Sequence, residues 1–398
     1  MPGQGWDVVV VGGGLIGSAA AYHLARSGMR TLLIEQGDLA SGASGANFGN
    51  VQVQDAEFGL SLELTLQGYE KFSSLEAELD YDLDYQRTGS LLLIENEHQW
   101  VAMQQRAASL QVAGVAAQLL DRDEVCRLEP SLSPEAVIGA LFHANEGNLN
   151  PFKLVHAYAL RGRQHGLEVW THTEVTGISV QGERVTGVDT NQGHVAASWA
   201  VLATGAWARR LAQTAAVDLP LCWVHGEALI TEPLPPLARH GISSAAFFEA
   251  TGESEEQVVG FCLRQRPEGN VMIGEAAYVT GALGRRVTAT ALPAIAREAR
   301  RRFPALRQAA VMRGWAIPVA FVPDNRPLLG AVDEVEGLVV ATGLKSTIVL
   351  TPLAGTLIAA LVSGSDVDPR LAEFSPSRSI EGAGHQKINN HRYAEDTE

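Results

Sequence analysis

The chain has 398 residues, 46% of them hydrophobic and 19% charged, which is ordinary globular composition, excludes a disordered chain and allows one large core or two smaller ones. The formal net charge of −15 argues against nucleic acid or an anionic membrane as partner, although clustered backbone N–H groups still hold phosphate on an acidic protein. No basic leader with a cleavage site opens the chain, and Cys126, Cys222 and Cys262 form no CxxC or Cys/His ligand set. They read as reduced, mostly buried thiols in a cytoplasmic setting, with a covalent cofactor link or redox role as the alternative and no metal expected.

Residues 7–11 (DVVVV) are an unbroken β-branched run, as in a strand covered on both faces. A glycine turn at 12–17 follows, then a helical stretch over 18–27 stopped by Gly28, then a second buried strand over 31–34 that ends in Glu35. This is a βαβ unit. Residues 41–50 (SGASGANFGN) form a loop of small residues, and 56–79 read as helix. A strand over 89–94, a helix over 97–112 and a turn at 146–151 opening a helix to about 165 come next. Strand-like runs follow at 168–170, 173–180, 184–190 and 199–203, the last meeting a second glycine turn at 204–207.

Between about 219 and 320 the pattern alternates, with strands at 221–231, 257–264, 270–276 and 309–319 and one helix near 287–303, as in an antiparallel sheet. A buried strand returns at 337–341, followed by Gly343 and a helix over 352–363. The apolar run 348–362 contains Pro352 and Gly355 and, at 15 residues, reads as a buried helix and not a membrane span. Residues 375–398 are polar and without periodicity, as in a mobile tail. The expected fold is α/β: a discontinuous Rossmann-like domain with a parallel sheet (1–85, 145–218 and 322–372), plus an α+β substrate domain with a mixed, largely antiparallel sheet (86–144 and 219–321).

Gly12-x-Gly14-x-x-Gly17 follows a strand, opens a helix, and has Glu35 18 residues beyond Gly17. Gly12 allows the tight turn, Gly14 lets backbone approach a pyrophosphate on the helix amino terminus, and Gly17 lets helix and strand pack closely. The Glu35 carboxylate suits the hydroxyls of an unphosphorylated ribose, which disfavours NADP. The small-residue loop and the turns at 204–207 and 343 offer more backbone to a ligand than NAD requires, so FAD is the expected cofactor and a two-domain NAD dehydrogenase the weaker alternative.

With those residues in place the chain resembles the D-amino-acid oxidase-like family of FAD oxidoreductases, which includes glycine and sarcosine oxidases and hydroxyproline and opine dehydrogenase flavin subunits. The resemblance spans about residues 5–370 and rests on VVVVGGGLIGSAAAYHLARSG with Glu35, SGASGANFG, EGNLNP, AVLATGAWA and DNRPLLGAVDEVEGLVVATGLKSTIVLTPLAG. It implies that Gly12, Gly14, Leu15, Ile16, Gly17, Glu35 and Gln36 hold the ADP half of FAD. It places Ser44, Gly45, Asn47 and Gly49 along the pyrophosphate and flavin, and Val175 at adenine. It returns Thr204, Gly205 and Trp207 to the cofactor, and sets Gly343, Leu344, Lys345, Ser346, Thr347 and Ile348 against the isoalloxazine ring. The implied reaction delivers hydride from a C–H beside nitrogen to flavin N5, leaving an imine.

Two departures stand out. The arginine that many members place before a proline to hold a substrate carboxylate is matched by an apolar position near Val319, and a tyrosine used by some members is matched by Phe261. Lys345, Arg264 and Arg313 are then the cations left to take a carboxylate, with Arg87 a lesser candidate. Lys345 is a candidate for stabilising reduced flavin, against a surface lysine. His225 is a candidate base, against a hydrogen-bonded structural histidine. His143 and Asp84 carry no assigned role. The expected substrate is a small amine or an amino or imino acid, oxidised at its C–N bond. Partner subunits or a second copy are also expected, the VHGEALITEP stretch resembling the hydroxyproline and opine subunits. The alternative is an FAD-binding relay or structural subunit with no substrate of its own.

Overall fold

The computed structural model describes residues 5–248, 258–365 and 367–380. Strand β1 (Trp6–Val11) turns through glycine into α1 (Leu15–Arg26), and β2 (Thr31–Ile34) returns parallel to β1. Val8, Val9 and Val10 are fully buried, because layers cover the sheet on both faces; hence the run does not alternate. The consecutive alanines Ala19, Ala20 and Ala21 of α1 are equally buried and let the helix settle closely among its neighbours.

The first sheet runs in the order Leu328–Ala331, Leu338–Thr342, Gly193–Leu202, β1, β2, Glu168–Trp170. Its neighbours are parallel except for the antiparallel pair at the Leu328–Ala331 edge. Strand Gly193–Leu202 also carries an antiparallel extension through Arg184–Thr190 to Val175–Gln181. Strands from the beginning, middle and end of the chain thus share one sheet. The second sheet has the order Val311–Phe321, Cys222–Pro233, Asn270–Thr280, Val258–Gln265, Gly241–Ser244, Ser90–Ile94, Gly139–His143, Gln118–Asp121. It is antiparallel except between Gly241–Ser244 and Ser90–Ile94. Helix Ala291–Arg302 covers one of its faces through Ile295 and Ala299; the other face looks toward the first sheet. A two-stranded pairing of Asn50–Val51 with Gly147–Asn148 ties the small-residue loop to the EGNLNP turn.

Four expectations are corrected. The helix expected over 56–79 is two helices, Leu60–Lys71 and Leu75–Leu79, which begin four residues later and break at residues 72–74. The last helix begins at Thr347, not 352, and runs through Pro352 to Ser363. It is wedged between α1 and Leu60–Lys71. A Cβ at Gly355 would lie 2.9 Å from the Ala19 carbonyl oxygen, and one at Gly68 would lie 2.4 Å from that of Val349. That packing outweighs the lost proline donor. Strands Gln118–Asp121 and Gly139–His143 were not anticipated, being short and without clear alternation. Residues 375–380 are anchored and not a free tail: Arg378 pairs with Asp324 at 3.0 Å and donates to the Pro327 and Arg326 carbonyls, while Ser377 donates to Glu334. Residues 381–398 lie outside the described residues.

Candidate active site

The parallel strands β1, β2, Gly193–Leu202 and Leu338–Thr342 all end at one cavity of about 700 Å³ lying between the two sheets. The carboxyl ends of such strands are where open α/β sheets bind ligands. The volume sits in the upper part of the usual range for cofactor pockets, about 300–1,000 Å³.

Gly12, Gly14, Leu15, Ile16, Glu35, Gln36 and Val175 line one part of the wall. Gly12 has φ of +108°, and a Cβ there would lie 2.5 Å from the Ala203 carbonyl oxygen, so only glycine makes this turn. Glu35 accepts from the Gly13 N–H at 2.7 Å through Oε2 and from the Gly37 N–H at 2.9 Å through Oε1. Each oxygen keeps a lone pair for a ribose hydroxyl. Ser44, Asn47, Thr204, Gly205 and Trp207 continue the wall, with Ser44 Oγ accepting the Leu15 N–H at 2.9 Å and so pinning the small-residue loop to the α1 amino terminus. Gly343, Leu344, Lys345, Ser346, Thr347 and Ile348 close it. Here the amino terminus of the 17-residue helix Thr347–Ser363 opens on the cavity, a position that favours negative charge on a ligand.

Three glycines of the expected set serve packing and do not line the cavity. A Cβ at Gly17 would fall 1.9 Å from the Gly12 oxygen, one at Gly45 2.3 Å from the Ala40 oxygen, and one at Gly49 2.1 Å from the Leu149 oxygen. Four side chains expected at the substrate lie elsewhere. Phe261 is fully buried on the far face of the second sheet, stacked on Phe303 beneath the Arg302 guanidinium. Strand alternation instead presents its neighbour Cys262 to the cavity. Arg264 is buried beside Gly241 with Nε donating to Asn50, and burial pulls its pKa down to about 9. Arg313 is exposed near the far end of its strand, opposite Ile230. His225 is buried with Nε2 at 3.1 Å from the Arg286 carbonyl oxygen and its ring against Tyr278, which is the structural alternative. Lys345 does reach the cavity, but Nζ is held by Glu57 at 2.8 Å. Arg87 stacks over Tyr85.

The sequence reading missed the groups that close the remaining wall: Asn50, Gln52, Asp55, Glu57, Ser243, Phe247, Phe248 and Glu275; Val319, singled out there as an apolar position, lies on the same wall. Burial, then the Glu146 carboxylate, push the Asp55 pKa up to about 7 against the pull of Arg106. Burial raises that of Glu275. The period-two spacing of Gln52 and Gln54, just before the expected helix, was the available signal.

The residues present fit FAD. The glycine turn admits no Cβ, the Glu35 oxygens have spare lone pairs, and Thr204 Oγ1 is buried on the wall with no hydrogen-bond partner among the described residues. A discontinuous parallel sheet with this turn and a second sheet over the cavity define a flavin-dependent oxidoreductase. The chain belongs to the DAO family, FAD dependent oxidoreductases, which it matches over residues 7–361. It is similar to glycine oxidase of Geobacillus kaustophilus (strain HTA426), 30% identical over 387 residues that cover 95% of this chain and 98% of the relative. It is also similar to hydrogen cyanide synthase subunit HcnC of Pseudomonas aeruginosa, 27% identical over 94% of this chain and 96% of that one. The crystal structure of the Geobacillus glycine oxidase superposes with a TM-score of 0.85 at 29% identity, covering 94% of this chain and 99% of that one. FAD is the cofactor. No helix among the described residues is long and apolar enough to cross a membrane.

Proposed function

We propose that the wall formed by Gln52, Asp55, Glu57, Ser243, Phe248 and Glu275 holds a small amine or amino or imino acid against FAD, and that its carbon–nitrogen bond is oxidised there. Bound FAD supplies the two-electron acceptor for the C–H bond beside nitrogen. The observation that carries the reading is that one cavity has a glycine-and-glutamate dinucleotide cradle along one wall and, along another, a polar wall built from the 52–57 segment together with Ser243 and Glu275 of the second sheet. The second sheet, whose strands are paired across its width, would orient the substrate. Phe247 and Phe248 line the cavity beside it. The amino terminus of Thr347–Ser363 would favour negative charge on a bound cofactor, a role that Lys345, neutralised by Glu57, would fill less well.

Asp55 and Glu275 are the buried carboxyls that face the substrate, and burial raises both above the ordinary carboxyl range. A relay subunit without substrate is not favoured, because the polar wall would then face nothing. Assembly with partner subunits or a second copy belongs to the proposal, the relative HcnC being itself a subunit. So does a cytoplasmic location, on the three free thiols Cys126, Cys222 and Cys262. The test is anaerobic mixing of the FAD-loaded protein with sarcosine, D-proline, hydroxyproline, opines and simple amines. Loss of the flavin's visible band with at least one is expected, and no loss with any of them overturns the reading.

A further inference from the structure

The polar wall of the cavity is unbalanced in charge. Asp55, Glu57 and Glu275 all line it, and Lys345, the one cation lining that side among the described residues, is already paired with Glu57 at 2.8 Å, while Arg106 stands behind Asp55 and Arg264 behind Asn50. The other cations lining the cavity belong to the nucleotide side: Arg285 lies over the Trp207 ring and 3.4 Å from the Ser41 carbonyl oxygen, and Arg210 follows Trp207 on the next helix. Glu275 has no hydrogen-bond or ion partner among the described residues, although it sits in the wall where burial penalises its charge. Asp55 has a buried Oδ1 without a partner, and the Arg106 guanidinium near it gives its N–H groups to the Gln54 and Ala56 carbonyls.

Glu57 has Lys345 and Asp55 has Arg106 beside it, so Glu275 is the wall carboxylate without a counter-charge, and such a group costs free energy that an arriving cation returns. An anion brought to the same wall meets like charge instead. Among the described residues no group of three or more His, Cys, Asp or Glu converges to hold a metal ion, so separated acids along a wall suit an extended organic cation. The apolar Val319 occupies the wall as well, which leaves a carboxylate without a donor there.

We infer that the substrate carries a second positive charge beyond its reacting nitrogen, as in an aliphatic diamine or N-alkyl diamine, with Glu275 and Asp55 receiving that charge. This rests on the proposed amine oxidation and names the substrate class of that same cavity.

The experiment uses the full FAD-loaded chain and three matched amines under anaerobic conditions: N-methyl-1,4-diaminobutane, the uncharged-tail N-methylpentylamine, and 4-methylaminobutanoate. Flavin reduction is expected to be most efficient with the diamine, about 10- to 100-fold above the neutral amine, the range of one charge-assisted contact, and least efficient with the carboxylate. Glu275→Gln, checked for retained FAD, brings the diamine-to-neutral ratio toward one, and Asp55→Asn does the same. Calorimetric binding of a bis-quaternary butane-1,4-diammonium, which the enzyme binds without turnover, weakens in both variants. Equal or better reduction by the carboxylate, or ratios unchanged in both variants, overturns the inference while leaving amine oxidation intact. Silence with all three amines, and with sarcosine and D-proline, overturns both.

Discussion

Removal of the Glu146 side chain tests how the polar wall is built. Glu146 is fully buried. Its Oε1 accepts the Val53 N–H at 2.6 Å and the Gln54 N–H at 2.7 Å, Oε2 accepts from Ser90 Oγ, and His143 Nδ1 lies 3.2 Å from Oε1. From the opposite side Arg106 donates to the Gln54 and Ala56 carbonyls at 2.7 Å each. The short segment between Gln52 and Glu57 is therefore clamped between a buried carboxylate and a guanidinium, and this clamp aims Gln52 and Asp55 at the cavity. Glu146→Ala strands two buried backbone donors at about 1–3 kcal/mol each, so about 2–6 kcal/mol is expected from urea unfolding of the FAD-loaded protein. Glu146→Gln keeps an acceptor but loses the charge, and about 1–3 kcal/mol is expected. Both variants should raise KM more than they lower kcat, because the wall binds substrate while the cofactor cradle is untouched. An unfolding free energy for Glu146→Ala within about 0.5 kcal/mol of the parent, with KM unchanged, would refute the clamp.

Gly17→Ala drives a Cβ to within 1.9 Å of the Gly12 carbonyl oxygen; the purified variant should lack FAD, as read by its visible absorbance, and stoichiometric FAD would contradict the packing role. Phe261→Tyr buries a hydroxyl in the apolar layer under helix Ala291–Arg302, which should cost about 1–3 kcal/mol in urea unfolding and give no gain with carboxylate substrates. Lys345→Met breaks a half-exposed pair with Glu57, so stability should change by about 1 kcal/mol or less. Asp55 has a folded pKa raised from 3.8 to about 7, so the folded state holds a proton that the unfolded chain releases. Its share of stability is present at low pH and is lost as pH rises from about 4 through about 7. Over the same window the charge it offers a cation grows. Affinity for the bis-quaternary probe should therefore climb through about pH 7, and Asp55→Asn should flatten that climb in a calorimetric titration.

The nucleotide half was legible because its chemistry is local. A glycine turn, a buried β-branched run and an acid at the next strand's end lie within 35 residues, and each carries its own physical reason. The substrate half was not, because its wall is assembled from four distant segments by strand pairing. Cys262 and Phe261 differ by one position, and only the register of Val258–Gln265 against Asn270–Thr280 decides which faces the cavity. Arg264 and Arg313 were attractive as isolated cations, yet one is sealed beside Gly241 and the other sits at an exposed strand end. Gln52 and Asp55 drew no assignment because nothing local announces that Glu146, more than 90 positions away, captures the backbone there. Pro352 misplaced a helix start for a similar reason, the deciding contacts being the close approaches at Gly68 and Gly355.

The most direct test of the central claim is an anaerobic titration of the full chain, reconstituted with FAD, using N-methyl-1,4-diaminobutane and simple amino acids while the flavin's visible spectrum is followed. One tightly bound FAD per chain whose band disappears on addition of an amine is the expected result. A protein that takes up no FAD, or that holds FAD and is reduced by dithionite but by no amine or amino acid, would contradict it.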